Sequence, residues 1–529
     1  MTLNTDAPFR DLPGLIAEHA RLRPAAPAVV DAAQQLNYAD LDVQMNRVAA
    51  ALQREGQGPG ACIAVCGLSS VAYLAVFLGA LRAGLAVAPL APGSTPAQLA
   101  GMAEDAGAWG VFIDASVAAM NVPWPQGVAV VHLDDSPGAV GLQAWLPAVE
   151  TLEARPTPVT IDPAWPFNII YSSGTTGTPK GIVQPHAMRW AHVQRAALSG
   201  YGSDAVTLIA TPLYSNTTLV AVIPTLAHGG CVVLMPKFEA GAYLQLAQRH
   251  RATHTMLVPV QYQRLMAWPQ FGEFDLSSFR HKFCTSAPFH AELKAEVLAR
   301  WPGGLVEFYG MTEGGGTCIL QAHLHPHKLH TVGQPAEGHD VRLIDEDGRE
   351  VPRQPGGASQ ASGEVVGRSP AMMSGYHGRA DLTAAAEWHD AQGRRYIRTG
   401  DIARFDEDGF LVLQDRRKDM VISGGFNIYP SDLEAVLRRH PAVADAAVVG
   451  VPSREWGETP VAFVVPRAGS DEAAESLRVW ANGQLGKTQR ITALRCVAEL
   501  PRSAIGKVLK RELREAWVAD ASGAGPGRG

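Results

Sequence analysis

Between Cys62 and Leu90 the chain follows a pattern that leaves few folds open. Cys62 to Cys66 is an apolar run that reads as a buried strand. Ser69 or Ser70 can cap a helix running to about Arg82, and Leu85 to Leu90 reads as the next strand. The same rhythm returns later, where Ala291 to Trp301 is a helix between two apolar runs, Lys282 to Ala287 and Leu305 to Tyr309. Repeated β-α-β alternation predicts a layered α/β domain with largely parallel strands. With 529 residues, 47% of them apolar and 18% charged, the chain is globular and long enough for two or three domains.

On such sheets ligands sit where strands end in loops. One loop has a composition suited to phosphate. After the apolar run Phe167 to Tyr171 come Ser172, Ser173, Gly174, Thr175, Thr176, Gly177, Thr178, Pro179, Lys180 and Gly181. Glycines let backbone N–H groups approach an anion, hydroxyls add neutral donors and Lys180 adds a cation. The spacing is not that of the common P-loop. Two other strand-ending loops, Ser286-Ala287-Pro288 and Tyr309-Gly310-Met311-Thr312-Glu313, are expected to face the same crevice. From about Val341, short strands and Gly/Asp turns suggest a β-rich subdomain. The charged run Asp415 to Asp419 then precedes a small α+β unit, which includes a helix opened by a Ser431/Glu434 capping box and a final helix from Lys507 to Trp517. The tail, 521–529, is expected to be disordered.

Composition excludes several classes. A net charge of −6 gives no electrostatic case for nucleic acid or an anionic membrane. Six scattered cysteines without a C-x-x-C pair argue for free thiols in a reducing, cytoplasmic compartment. The N-terminal residues, with Asp6, Arg10 and Asp11, do not read as a signal peptide, and no unbroken apolar stretch of membrane-spanning length is expected. The histidines His323, His325, His327 and His330 lack a completing acid or thiol, and His186 reads as a helix-entry or packing residue. No G-x-S-x-G occurs.

Taken in order, the phosphate-type loop, Tyr309 to Glu313, Arg398-Thr399-Gly400-Asp401, Asp415 to Asp419 and Gly506-Lys507 resemble the motifs of the adenylate-forming (ANL) superfamily, and in particular its AMP-dependent acyl-CoA synthetases. The resemblance covers nearly the whole chain. It implies a large N-terminal adenylation domain, 1–417, and a small mobile α+β C-terminal domain, 418–529, with Lys418 at the hinge. It implies ATP, Mg²⁺ and coenzyme A as reagents and a small carboxylic acid as substrate. Lys507 and Thr312 would serve the carboxylate and α-phosphate, and Glu313 would hold the metal. Ser172 to Gly177 with Lys180 would grip the leaving phosphates. Ser286, Ala287, Pro288, Glu307, Phe308, Tyr309, Gly310, Met311, Asp401 and Arg416 would bind the nucleotide. Gly424, Gly425 and Trp456 would admit CoA, although a partly buried core position suits Trp456 equally well. Tyr214, Ser215, Gly314 and Gly315 would line the acyl pocket.

Two departures from the family pattern stand out. Ser215 replaces a histidine common in relatives, and the run from Lys487 to Ile491 lacks their aromatic-Lys-x-Pro sequence. The absence of an acid between Tyr214 and Val220 disfavours amino acids. The glycines after Glu313 suggest room for an aromatic, alicyclic or medium- to long-chain acid. Little chain follows Lys507, so free CoA is expected as the acceptor. A separate carrier protein, or a non-enzymatic nucleotide or acyl sensor on the same fold, is the alternative. A homodimer is compatible with the sequence.

Overall fold

A computed structural model describes residues 7–134, 140–149, 151–172, 179–354, 357–359, 361–416, 419–423, 426–453, 456–470, 472–485, 489–503 and 506–523. The chain divides into two compact units, one of residues 1–341 with 367–397 and one of residues 342–366 with 398–529. This differs from a single cut at 417. The reason is that Leu411–Arg416 pairs antiparallel with the far half of Arg395–Phe405, which draws that part of the β-rich region into the second unit.

Among the described residues the first unit carries two mixed sheets, of nine and eight strands. In the larger one, Pro27–Val30, Cys231–Leu234, Val206–Ile209, His254–Leu257, His281–Cys284 and Gly304–Tyr309 run parallel. In the other, Pro166–Ser172, Ala86–Leu90, Cys62–Cys66, Ala108–Ile113 and Ala129–His132 run parallel. These strands are largely buried on both faces, as expected when helices or a second sheet cover each side. One core cluster includes Ile63, Phe77, Phe167, Ile209, Val232 and Phe283. The predicted helices form close to their expected ends. Asn37 and Ser70 cap Tyr38–Arg54 and Val71–Arg82, each accepting a hydrogen bond from the backbone N–H three residues on.

The second unit contains a five-stranded sheet that includes Val421–Ser423, Val443–Ser453 and Gly457–Pro466. Helices Pro430–Arg438, Ala474–Asn482 and Lys510–Gly523 accompany it. Three details correct the sequence reading. The last helix runs six residues past Trp517, into the tail expected to be disordered. The helix at 430 starts on Pro430 with Tyr429 as its cap residue, so no Ser431/Glu434 box forms. Ser431 Oγ donates instead to the Gln414 carbonyl, and Glu434 accepts from Val448 N and pairs with Lys510. No helix of the described residues is long and apolar enough to cross a membrane.

Candidate active site

In the first unit the phosphate-type loop joins two antiparallel strands, Pro166–Ser172 and Lys180–Pro185, with Ser172 opposite Lys180. Residues 173–178 lie outside the described residues. The strand Gly375–Tyr376 adds to the free side of Lys180–Pro185, with Tyr376 opposite Ile182. Lys180 Nζ therefore stands 5.4 Å from the centre of the Tyr376 ring. The Tyr376 hydroxyl donates to Glu313 Oε1 at 2.8 Å. Burial, and then the Glu313 charge beside it, raise the pKa of this phenol. The backbone fixes Glu313 from the same segment, since Met373 N donates to its carbonyl at 2.8 Å. Cation, phenol and carboxylate thus form one chain of contacts at the strand ends.

Beneath it lies a buried polar network that carries no acid. Gln184, fully buried, donates to the Thr312 carbonyl at 2.6 Å and accepts from Asn168 at 2.9 Å. Arg189, 2% exposed, donates to Asn168 and Asn216 at 2.8 and 2.9 Å, and also to Gln184. Burial without a counter-charge lowers the Arg189 pKa to about 9. The network joins the hairpin strands, the helix Asn216–Ala227 and the loop after Gly304–Tyr309, so it fixes where Thr312 sits. Nothing local in the sequence signals it. Tyr376, Gln184, Arg189 and Asn168 are separated in sequence and belong to no contiguous motif.

The remaining expected residues of this unit fall close by. Ser286 follows strand His281–Cys284 in a left-handed conformation, φ +82°, unusual for a residue with a Cβ. Its hydroxyl meets that of Thr217 at 2.5 Å. Ser215 is buried and caps the helix Asn216–Ala227, accepting from Thr217 N at 3.3 Å. Tyr214 is half-buried, and burial raises its pKa.

In the second unit Asp401 lies opposite Arg416 in the antiparallel ladder, which brings the two expected ribose-binding positions together along the backbone. Gly400, φ +71°, lies within the strand Arg395–Phe405 directly before Asp401, and Arg398 is held by Glu364 at 2.5 Å. Lys507 sits in a tight hairpin. Ser503 N donates to its carbonyl at 2.8 Å, its own N–H reaches Ser503 Oγ at 3.2 Å, and Arg502 bridges to Val508. Trp456 is 51% exposed, which removes the core-residue reading. Lys418, Gly424 and Gly425 lie outside the described residues. Residues 486–488 also do, so only part of the Lys487 to Ile491 run is described.

The AMP-binding enzyme family matches residues 16–377, and the AMP-binding enzyme C-terminal domain matches 432–507. The chain belongs to this family. It is similar to the feruloyl-CoA synthase of an Amycolatopsis species, 34% identical over 94% of this chain and 96% of that protein. It is also similar to the indoleacetate–CoA ligase of Aromatoleum aromaticum, 32% identical over 94% and 97%. The crystal structure of ATP-bound MatB from Rhodopseudomonas palustris matches with a TM-score of 0.84 and 29% identity, over 96% of this chain and 99% of that one. The adenylate-forming fold inferred from the motifs is therefore the fold of this chain.

Four positions depart from what the motifs imply for an AMP-binding enzyme. Glu307, expected to meet adenine, is buried and paired with Lys294, itself buried and donating to Leu329 and Thr331 carbonyls at 2.8 and 3.0 Å. Burial raises the Glu307 pKa while Lys294 opposes it. Phe308, expected with the nucleotide residues, is one position out of step with Glu307 and Tyr309, and a strand alternates faces. Its ring stacks on Phe283 with centres 5.5 Å apart and packs on the large core cluster. Gly314 and Gly315, expected to leave pocket space, have no space to leave. A Cβ on Gly314 would lie 2.0 Å from the Ala371 carbonyl oxygen, and one on Gly315 would lie 2.8 Å from that of Gly367. Both have positive φ, +78° and +88°. They are glycines because residues 367–372 press against them.

Proposed function

We propose that this AMP-forming acid:CoA ligase acts on an aromatic or alicyclic carboxylic acid, with the site residues in the roles set out below. The observation that carries the assignment of roles is the Lys180–Tyr376–Glu313 chain, built beside Thr312 by elements far apart in sequence. A carboxylate is a poor acyl donor, and bringing it to the α-phosphate of ATP sets two anions together. The site must offset that repulsion with fixed donors and cations. Lys180, held over the Tyr376 ring, serves the departing pyrophosphate. The Thr312 hydroxyl and Lys507 serve the α-phosphate and the attacking carboxylate. Asp401 and Arg416 hold the ribose, and Tyr309 lies against the adenine.

Mg²⁺ is a hard cation that typically takes one or two protein carboxylates and completes its shell with phosphate oxygens and water. Glu313 fits that need. Its Oε1 is oriented by Tyr376, and among the described residues no cluster of three metal-ligating side chains competes. Bound there, the ion neutralises phosphate charge. In the second half-reaction the CoA thiol attacks the acyl-adenylate and AMP leaves. Exposed Trp456 suits contact with the CoA adenine.

The half-buried Phe308 ring, two residues before Gly310, supports an aromatic or alicyclic acid, as does likeness to ligases named for ferulate and indoleacetate. The free thiols support action in the cytoplasm. The test is an ATP- and CoA-dependent thioester assay over aromatic, alicyclic and straight-chain acids, read by mass spectrometry. Aromatic or alicyclic acids are expected to lead in kcat/KM. A lead for acetate would refute the acid class, and AMP release without acyl-CoA would refute CoA as the acceptor.

A further inference from the structure

The helix His186–Ala196 carries a second arginine whose surroundings differ from those of Arg189. Arg195 is half-buried and lies 5.6 Å from the centre of the Phe308 ring. Among the described residues it has no hydrogen-bond or ion-pair partner. Burial alone lowers its pKa, to about 10, and no carboxylate is near enough to oppose that. Its charged-state neighbours are two histidines, and both are kept neutral. Burial first and then Arg195 lower the pKa of His192, and the same two causes lower that of His339 to about 3.

The tautomer of His339 follows from its contacts. Thr317 N donates to His339 Nδ1 at 2.9 Å, so the ring proton is on Nε2 and points a donor away from that bond. His192 adds a buried Nδ1 with no partner. This corner therefore holds a guanidinium with no acid partner among the described residues and, within its electrostatic reach, an imidazole whose ring proton is on Nε2. A half-buried cation without a counter-charge has lost part of its water shell, and a complementary anion offsets that loss. The corner is also close to the chemistry. Phe308 lies four residues before Thr312, a reach of at most about 14 Å, and Thr317 Oγ1 lies 3.4 Å from where a Gly310 Cβ would be.

We propose that Arg195, with His339 beside it, binds a second anionic group at the far end of the acid, so that the substrate is an aromatic or alicyclic carboxylate bearing another acid group. This rests on the ligase reading above. The reacting carboxylate goes to Thr312, the ring lies along Phe308, and the remote anion pairs with Arg195. A charge-assisted, partly bidentate contact of this kind gives roughly 10- to 100-fold in kcat/KM.

The test compares cinnamate, 4-hydroxycinnamate and 4-carboxycinnamate in the acyl-CoA assay, with wild type, Arg195→Met and Arg195→Lys. In the wild type 4-carboxycinnamate is expected to lead cinnamate by at least tenfold in kcat/KM. Arg195→Met should abolish that lead by raising KM for the dianion only, and Arg195→Lys should keep part of it. Equal use of the three acids by the wild type, a lead for the neutral ones, or a uniform loss across all three in Arg195→Met would overturn the proposal. The wild-type ranking does not depend on whether a variant folds. If no acid of any class gives a thioester, the ligase reading itself fails, which is a different result from thioester formation without charge preference.

Discussion

Replacing Tyr376 with Phe isolates a single contact in the site. The hydroxyl makes one hydrogen bond to the Glu313 carboxylate at 2.8 Å, and the ring keeps its place under Lys180. Phenylalanine removes the first and preserves the second. A hydrogen bond to a charged group is worth about 1.5–3 kcal/mol. Both side chains are half-buried, so water screens part of this and the lower half of the range applies. A loss of about 1.5–2 kcal/mol corresponds to a fall of roughly 10- to 30-fold in kcat/KM. Glu313 is assigned to the metal–nucleotide complex, so the loss should appear when MgATP is varied in a pyrophosphate-release assay. It should be small when the acid is varied at saturating MgATP. Tyr376→Leu removes the ring as well and should cost about 0.5–1 kcal/mol more. Thermal unfolding of Tyr376→Phe should lie within a few degrees of wild type, because the strand pairing of Gly375–Tyr376 with Lys180–Pro185 is main-chain. A kcat/KM for MgATP within twofold of wild type would refute the role given to this contact. An equal loss for MgATP and for the acid would show that Tyr376 acts on the site as a whole.

Further outcomes follow from other positions. Gln184→Met strands the Thr312 carbonyl and the Asn168 amide in the core, at about 1–3 kcal/mol each, so urea unfolding should show a clear loss of stability together with slower adenylation. Unfolding with unchanged stability would refute the network. Lys507→Ala should lose adenylation yet still make thioester from supplied acyl-adenylate, and equal loss in both half-reactions would argue against a role confined to the first. His186, 3% exposed with its ring against Phe167, has its pKa lowered by burial to about 4. Between that value and the usual 6.5 the unfolded chain binds the extra proton, so the contribution of His186 is complete above pH 6.5 and lost as pH falls toward 4, up to about 3 kcal/mol. His186→Gln should flatten that acid slope of the melting temperature, and an unchanged slope would remove His186 as its cause.

The layered α/β architecture was legible because strand and helix periodicity are local properties, and Asn37 and Ser70 cap helices where the spacing places them. The loops bearing Ser286 and Glu313 were legible for the same reason, since each follows an apolar strand. What escaped were contacts between segments far apart in the chain. Tyr376 meets Glu313 only because its strand pairs with Lys180–Pro185, and no spacing within Gly375 to Gly378 announces that. Ser431 shows the converse. A capping-box pattern is present in sequence, yet the nearby Gln414 carbonyl and the Pro430 start of the helix give both side chains other partners. Glu307 was matched to adenine by its place in a motif, and the buried Lys294 on the helix Ala291–Arg300 claims its carboxylate instead.

The glycines after Glu313 separate two meanings that a missing side chain can have. An absent Cβ leaves space only if nothing else fills it, and at Gly314 the carbonyl of Ala371 does so at 2.0 Å, with Met373 N bonded to Glu313 just beyond. Gly314→Ala must therefore displace the segment 371–373 and hold a side chain at φ +78°, for about 3 kcal/mol or more. Because that segment leads directly to Tyr376, the damage should reach the metal–nucleotide end of the site. The expected result is a fall in stability and in kcat/KM for MgATP, with the ranking of acids unchanged. A stable Gly314→Ala enzyme with a shortened list of accepted acids would restore Gly314 to the acyl pocket. Selectivity for the acid is instead expected to follow Phe308 and Arg195, on the opposite face of the strand from Glu307 and Tyr309.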